Sequence, residues 1–276
     1  MTELSTVRRP RRTRATYVRR VIVLAYLFFL VVWPVSLVVI HTFSDGNHLV
    51  AALRDPVVIF ALQMTVVVAF WAVVINTVFG VGMSLLLVRY EFPGKGVLNS
   101  LLDLPLSVSP VVIGLALLLA YGPRDGAFAP VLGAIDFQVI FSVPGIIMAT
   151  AFVSLPLVIR EVVPVLQEVG TEQEQAARSL GAGGWQTFRR ITLPSIRWAL
   201  VYGVVLSLAR SLGEFGAVKI VSGNITQQTQ TATLVVEDKY LEFERGAAYA
   251  TSFLLTLIAV AALVIVTILR PKEKKA

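Results

Sequence analysis

From Val21 to Ile40 the chain runs for twenty residues with one serine and no charge, directly after seven arginines between Arg8 and Arg20. A helix needs about 20 such residues to cross the hydrocarbon core of a bilayer. The same rule picks out six candidate spans, at residues 20–42, 61–89, 99–121, 138–163, 195–221 and 247–269. Pro34, Pro105, Pro110, Pro144 and Pro156 fall inside them. Packed membrane helices tolerate proline because neighbouring groups satisfy the freed backbone. The pattern predicts an all-α integral membrane protein with six transmembrane helices.

One stretch breaks the apolar rhythm. Residues 172–194 read EQEQAARSLGAGGWQTFRRITLP. They predict two short helices: Thr171 as N-cap with Glu174 three residues on forms a capping box, and Gly181 stops the first helix. Gly183 and Gly184 turn the chain, Trp185 and Phe188 share a face of the second helix, and Leu193-Pro194 opens the next span. Ala176, Ala177 and Gly181 present almost no side chain, so another surface can approach closely. Two readings are open: a solvated connection between spans, or an amphipathic element that docks in a partner's groove.

Composition agrees with the membrane reading. Hydrophobic residues make up 56% of the 276, and the mean hydropathy is +0.78. No water-soluble domain needs so much apolar surface. The net charge of +7 is distributed by topology and not as a nucleic-acid patch. Arg89 and Lys95 follow the second span, and Arg160, Arg178, Arg189, Arg190 and Arg197 surround the polar stretch. Arg270, Lys272, Lys274 and Lys275 close the chain, while the opposite loops 43–60 and 122–137 hold only Arg54 and Arg124. In the last of these loops, 222–246, Lys239 and Arg245 face four acidic residues. This bias places both termini in the cytoplasm. The expected organisation is an Arg-rich cytoplasmic tail at 1–19, a permease-type membrane domain at 20–270 with the two short helices at 172–190, and a tail at 271–276. The first run is long enough to span and lacks an A-x-A site, so it predicts an anchor and not an export signal. Cysteine is absent, and His41 and His48 make no metal-ligand pattern. No G-x-x-x-x-G-K-[ST], H-E-x-x-H or G-x-S-x-G occurs, so the chain must borrow its energy from elsewhere.

The polar stretch resembles the cytoplasmic loop of ABC importer permeases, E-A-A-x3-G-x9-I-x-L-P. Ala176, Ala177, Gly181, Ile191 and Leu193-Pro194 fall on its fixed positions, with Gln175 where the family usually carries Glu and Glu174 beside it. The resemblance extends over nearly all of the chain after the Arg-rich tail. LLDLPLSVSPVVIGLALLLAYG and SLARSLGEFGAVKIVSGNI are similar to the oxyanion branch of these MetI-like permeases. TATLVVEDKYLEFERGAAYATSFLL is most similar to the W-type permeases of sulfate/thiosulfate importers. The LGEFGA element is shared with molybdate and tungstate permeases, which leaves that substrate as the alternative.

The resemblance implies an alternating-access permease of the bacterial inner membrane. Its partners are a cytoplasmic ABC ATPase dimer, a second permease subunit and an extracytoplasmic sulfate-binding protein. A W-type chain would pair with a related but different permease, a molybdate-type chain with itself. No cofactor is bound by this chain; ATP and Mg are used by the ATPase. The resemblance also implies that Glu174, Gln175, Ala176, Ala177, Gly181, Trp185 and Phe188 seat in the ATPase, and that loop 222–246 receives the binding protein. Arg210 and Glu214 then stand out as two charges within an apolar span, where ionised groups face the bundle interior or a water-filled cavity. They read either as an internal ion pair that fixes packing, or as a weak attraction for a passing oxyanion. Ser107, Ser109, Ser211 and Asn224 read as neutral donors along such a path or as packing contacts. Lys219 reads as an interfacial anchor. An ion-driven secondary carrier and a non-transporting scaffold remain as rivals of another class.

Overall fold

The computed structural model describes residues 14–44 and 48–268, with side chains over 17–44 and 48–265. Residues 1–13 of the Arg-rich tail and the segment after Ile268 lie outside the described residues. All regular structure among the described residues is helical. The first crossing is α1 (Arg14–Leu27), a π-helical turn at Phe28–Val32 and α2 (Trp33–Phe43). The connection to the second crossing carries a short helix, α3 (His48–Arg54), where a plain loop was expected. Then come α4 (Pro56–Arg89), α5 (Lys95–Ser107), α6 (Pro110–Tyr121), α7 (Ala129–Ala134) and α8 (Val143–Val169). The polar stretch forms α9 (Glu172–Ser179) and α10 (Gly184–Thr187), and a π-helical turn at Phe188–Thr192 leads into α11 (Leu193–Leu212). The chain finishes with α12 (Gly216–Ser222), α13 (Ala232–Leu241) and α14 (Arg245–Ile268).

Among the described residues five helical runs are long and apolar enough to cross a membrane, and α5 with α6, bent by 115°, makes the sixth crossing if taken as one span. Two expected spans are therefore not continuous helices. The 99–121 span breaks at Val108–Ser109, where the residue before Pro110 is pushed into extended backbone. The 195–221 span ends at Leu212 and restarts at Gly216.

The core is a trio of helices, α4, α8 and α11. A Cβ on Gly203 of α11 would lie 2.8 Å from the Val158 Cα of α8, so the two backbones touch there. Small residues at such crossings are what drives helix association in lipid. One polar cluster crosses the same trio. The Asn76 side-chain amide donates to Ser154 Oγ at 2.8 Å and to Ser207 Oγ at 3.2 Å. Ser154 Oγ donates to the Thr150 carbonyl and lies 3.2 Å from Ser211 Oγ. Asn76 is wholly buried, and hydrocarbon offers its amide no other partner. Asn76→Ala is expected to cost about 1–2 kcal/mol, read as a lower midpoint of thermal unfolding in detergent.

The first crossing packs differently. None of its most apolar stretch is buried, and it meets α14 through the ring pairs His41–Tyr249 at 5.3 Å and Phe43–Phe253 at 5.4 Å.

Candidate functional site: a docking loop and a broken-helix junction

The loop at one end of the bundle is built around Glu174. The expected capping box does not form: Thr171 makes no side-chain cap to α9, and its hydroxyl accepts from Gln175 Nε2 at 3.0 Å. Glu174 turns inward. Its carboxylate takes Arg89 Nε and Nη2, each at 3.1 Å, and the Thr192 hydroxyl at 2.9 Å. A long-range bidentate ion pair outcompetes the local cap because a charge-assisted fork is about twice as strong as a neutral hydrogen bond. The acidic side chain that organises this loop is thus Glu174, while Gln175 is exposed. Gln175→Glu is expected to leave transport within about twofold of wild type, since an exposed substitution of this kind shifts energies by no more than about 0.5 kcal/mol; an uptake assay checks it.

Gly181 ends α9 as expected. At φ 85° it is left-handed, its N–H donates to the Arg178 carbonyl at 2.9 Å, and Ala182 N–H donates to the Ala177 carbonyl at 3.0 Å. This is the Schellman closure. Beyond it the Trp185 and Phe188 rings stack at 5.5 Å. Phe188 packs inward against the buried cluster that includes Val162, Leu166 and Ile196, so it supports Trp185 and does not share its exposure. Leu180 is 89% exposed and Trp185 73% exposed. Two large apolar side chains are thus exposed on either side of the closed, internally bonded turn. Ala176 is exposed beside them.

Within the bundle, the two broken spans meet. A Cβ on Gly216 would lie 3.1 Å from Pro110 Cβ, so the first turns of α6 and α12 sit side by side. Glu214 lies in the break and not inside a helix. Its Oε1 accepts from Ala217 N–H at 2.9 Å, at the first turn of α12. Its Oε2 is 2.6 Å from Arg210 Nη1, an ion pair without hydrogen-bond alignment. The Glu214 side chain is 2% exposed and that of Arg210 37%. Among the described residues the Arg210 guanidinium meets no other carboxylate, so donors remain on its open side. Ser109, exposed, precedes Pro110 at this junction, and Ser107, also exposed, lies two residues earlier with its hydroxyl on the Leu104 carbonyl. Ser211 points the other way, into the Asn76 cluster. Asn224 lies past the end of α12, where its amide donates to Asp238 at 2.8 Å.

The segment after α12 folds back to the same depth. Ala232 N–H donates to Thr65 Oγ1 of α4, and Thr233 Oγ1 donates to the Glu214 carbonyl, both at 2.9 Å. From there α13 runs to the end of the bundle away from α9. Lys219 pairs with Glu237 on it. Lys239 bonds Glu244 at 2.7 Å and lies 3.9 Å from Asp55. The Glu244 hydrogen bond, set against partial desolvation and aided by the charges of Glu244, Asp55 and Glu242, holds the Lys239 ammonium above its usual value. A raised lysine stabilises the fold at all pH below its unfolded value, and that contribution is lost only when alkaline pH rises through the folded one. Phe243, at φ 62° and 81% exposed, tips this end.

Sequence reasoning missed Arg89 as more than a topology marker, and it missed Asn76, Ser154, Ser207 and Thr192. A lone amide in an apolar run was a signal for Asn76. Arg89 gave none, because its partners lie at least 77 residues away.

A membrane bundle with two interrupted crossings meeting beside a part-exposed arginine is the architecture of a membrane transport subunit, and the family match places it in the permease class. Residues 76–275 match the family described as binding-protein-dependent transport system inner membrane component, and the chain belongs to that family. It is 45% identical over 268 residues to the sulfate transport system permease protein CysW of Synechocystis, covering 97% of both chains. It is also 42% identical over 198 residues to the sulfate transport system permease protein CysT of Escherichia coli, covering 72% of this chain and 71% of that one. Its fold matches the crystal structure of a bacterial alginate ABC transporter in complex with an alginate pentasaccharide-bound periplasmic protein. There the TM-score is 0.77 at 14% identity, over 91% of this chain and 92% of that chain.

Proposed function

We propose that the chain is one of two permease subunits of an ATP-driven sulfate importer of the bacterial inner membrane, and that it passes the anion by alternating access beside Arg210. The observation that carries the transport reading is the junction of α6 and α12, where an arginine with open donors sits among interrupted helices. The relatives named for sulfate transport supply the anion. Resemblance to two permeases of different name supports pairing with a related, non-identical second subunit.

In this reading the α9–α10 end faces the cytoplasm, and Leu180 and Trp185 enter a cleft of the ATPase dimer. Closure of the ATPase pair tilts the membrane helices through the loop. The opposite end, tipped by Phe243, receives the loaded binding protein. Arg210 offsets the oxyanion's charge, and Glu214 competes for the same guanidinium, so the anion is attracted without being trapped. Loaded binding protein shifts the equilibrium only by its differential affinity for the outward state.

The test is uptake of radiolabelled sulfate into proteoliposomes carrying the assembled complex, with binding protein outside and ATP inside. Uptake that requires internal ATP and survives collapse of ion gradients is expected. Uptake driven by an ion gradient without ATP makes the chain a secondary carrier instead.

A further inference from the structure

We infer that Arg89 is a positioning residue for energy coupling: it latches the docking helix α9 to the rod α4, so that displacement of the loop moves α4. The inference rests on the reading of 172–190 as the ATPase-docking loop. Helix α9 is joined to α8 through Gly170 and Thr171, and Gly170 has φ 70°. A two-residue joint with a left-handed glycine leaves the helix free to swing unless something else holds it. Backbone-level packing of α9 is chiefly against α10 and the 188–192 turn, within its own loop. What ties it to a spanning helix is the Arg89 fork.

That fork reaches three places at once. Two donors meet the Glu174 carboxylate, Nη1 donates to the Leu166 carbonyl at 3.1 Å, and Nη2 donates to the Gly170 carbonyl at 2.7 Å. The two carbonyls belong to the last turn and the end of α8, which have no helical partners of their own. One side chain therefore closes the end of α8, immobilises the glycine joint and grips α9. Both members of the pair are 11% exposed, so water competes weakly. Only a planar guanidinium presents donors in this arrangement; an ammonium keeps the charge and loses the fork.

Arg89 is the last residue of α4, and α4 has no break over its 34 residues, about 50 Å at 1.5 Å each. At its far end Asp55 caps it, accepting Val57 N–H at 2.8 Å, and lies near Lys239 of α13. Thr65 holds Ala232 N–H, and α13 in turn holds the Glu214 carbonyl through Thr233. Midway, Asn76 fastens α4 to α8 and α11. A helix secured at both ends and at its middle moves as a unit. The latch is thus the entry point from the docking loop to the junction and to the binding-protein end.

The experiment is ATP hydrolysis and sulfate uptake by the full complex in proteoliposomes, with empty or sulfate-loaded binding protein, for wild type, Arg89→Gln and Arg89→Lys. In Arg89→Gln, stimulation of hydrolysis by loaded binding protein is expected to fall about 5- to 100-fold, the range of ordinary coupling energies, and sulfate moved per ATP to fall with it. Arg89→Lys recovers only part of both. If Arg89→Gln does not assemble, Glu174→Gln opens the same latch from the other side, and the same loss of stimulation is expected. A purely structural role lowers the yield of complex but leaves the stimulation ratio and the sulfate-to-ATP ratio of the assembled fraction at wild-type values, and that result overturns the latch. Failure of sulfate-loaded binding protein to stimulate the wild-type complex rejects the sulfate-importer reading itself.

Discussion

Arg210→Ala is expected to lower sulfate uptake about 10- to 100-fold, which is the loss of one hydrogen bond to a charged group at roughly 1.5–3 kcal/mol. The variant also strands Glu214, whose side chain is 2% exposed, and removing one partner of a buried pair is costly in its own right. Expression and uptake must therefore be separated. The double variant Arg210→Gln, Glu214→Gln removes both charges and leaves no stranded carboxylate, so it is expected to restore accumulation in the membrane. It does not restore uptake if Arg210 meets the anion. A double variant that accumulates normally and transports normally shows that the pair only fixes packing between α11 and the α12 break. Measuring uptake per unit of complex in both variants decides between these outcomes.

Gly181→Leu is the second large effect. A Cβ at this position meets nothing within 4 Å, so the substitution does not disturb the interior. It places a side chain in the left-handed region at a cost of about 1–2 kcal/mol, which opens the Schellman closure and reorients the exposed Leu180 and Trp185. It also puts bulk on the face that the small residues Ala176 and Gly181 keep flat. Membrane insertion is expected to be normal, while ATP-driven uptake falls by at least about tenfold, the scale of a hot-spot loss near 1.4 kcal/mol. Co-purification of the ATPase subunits and uptake are the readouts. Normal ATP-driven uptake in this variant removes the docking role of the loop.

The helical class and the number of crossings were legible in the chain because hydrophobic length is a coarse quantity that survives local error. The same coarseness hid the breaks. Val108–Ser109 and Gly213–Phe215 both lie inside runs long and apolar enough to span, and proline and glycine are tolerated inside membrane helices, so neither position announced an interruption. Arg210 and Glu214 were visible as charges in an apolar run, but their placement on either side of a helix end was not. The polar loop was legible where its signals are local, with Gly181 as a stop and Gly183-Gly184 as a turn, but not where Phe188 turns inward away from the exposed Trp185. It was misleading at Thr171 and Glu174, where correct capping-box spacing was overridden by a partner 85 residues distant. Ser211 shows the same limit. A serine next to Arg210 belongs to a helix-packing cluster that includes Asn76, Thr150 and Ser154 from α4 and α8.

The most direct test of the importer account is ATPase activity of the reconstituted complex, made with its second permease and its ATPase, when its binding protein is loaded with sulfate or with molybdate. Stimulation by sulfate and not by molybdate is predicted. Stimulation by molybdate alone contradicts the substrate assignment while leaving the docking loop in place, and no stimulation by either contradicts the account of this chain as an oxyanion importer subunit.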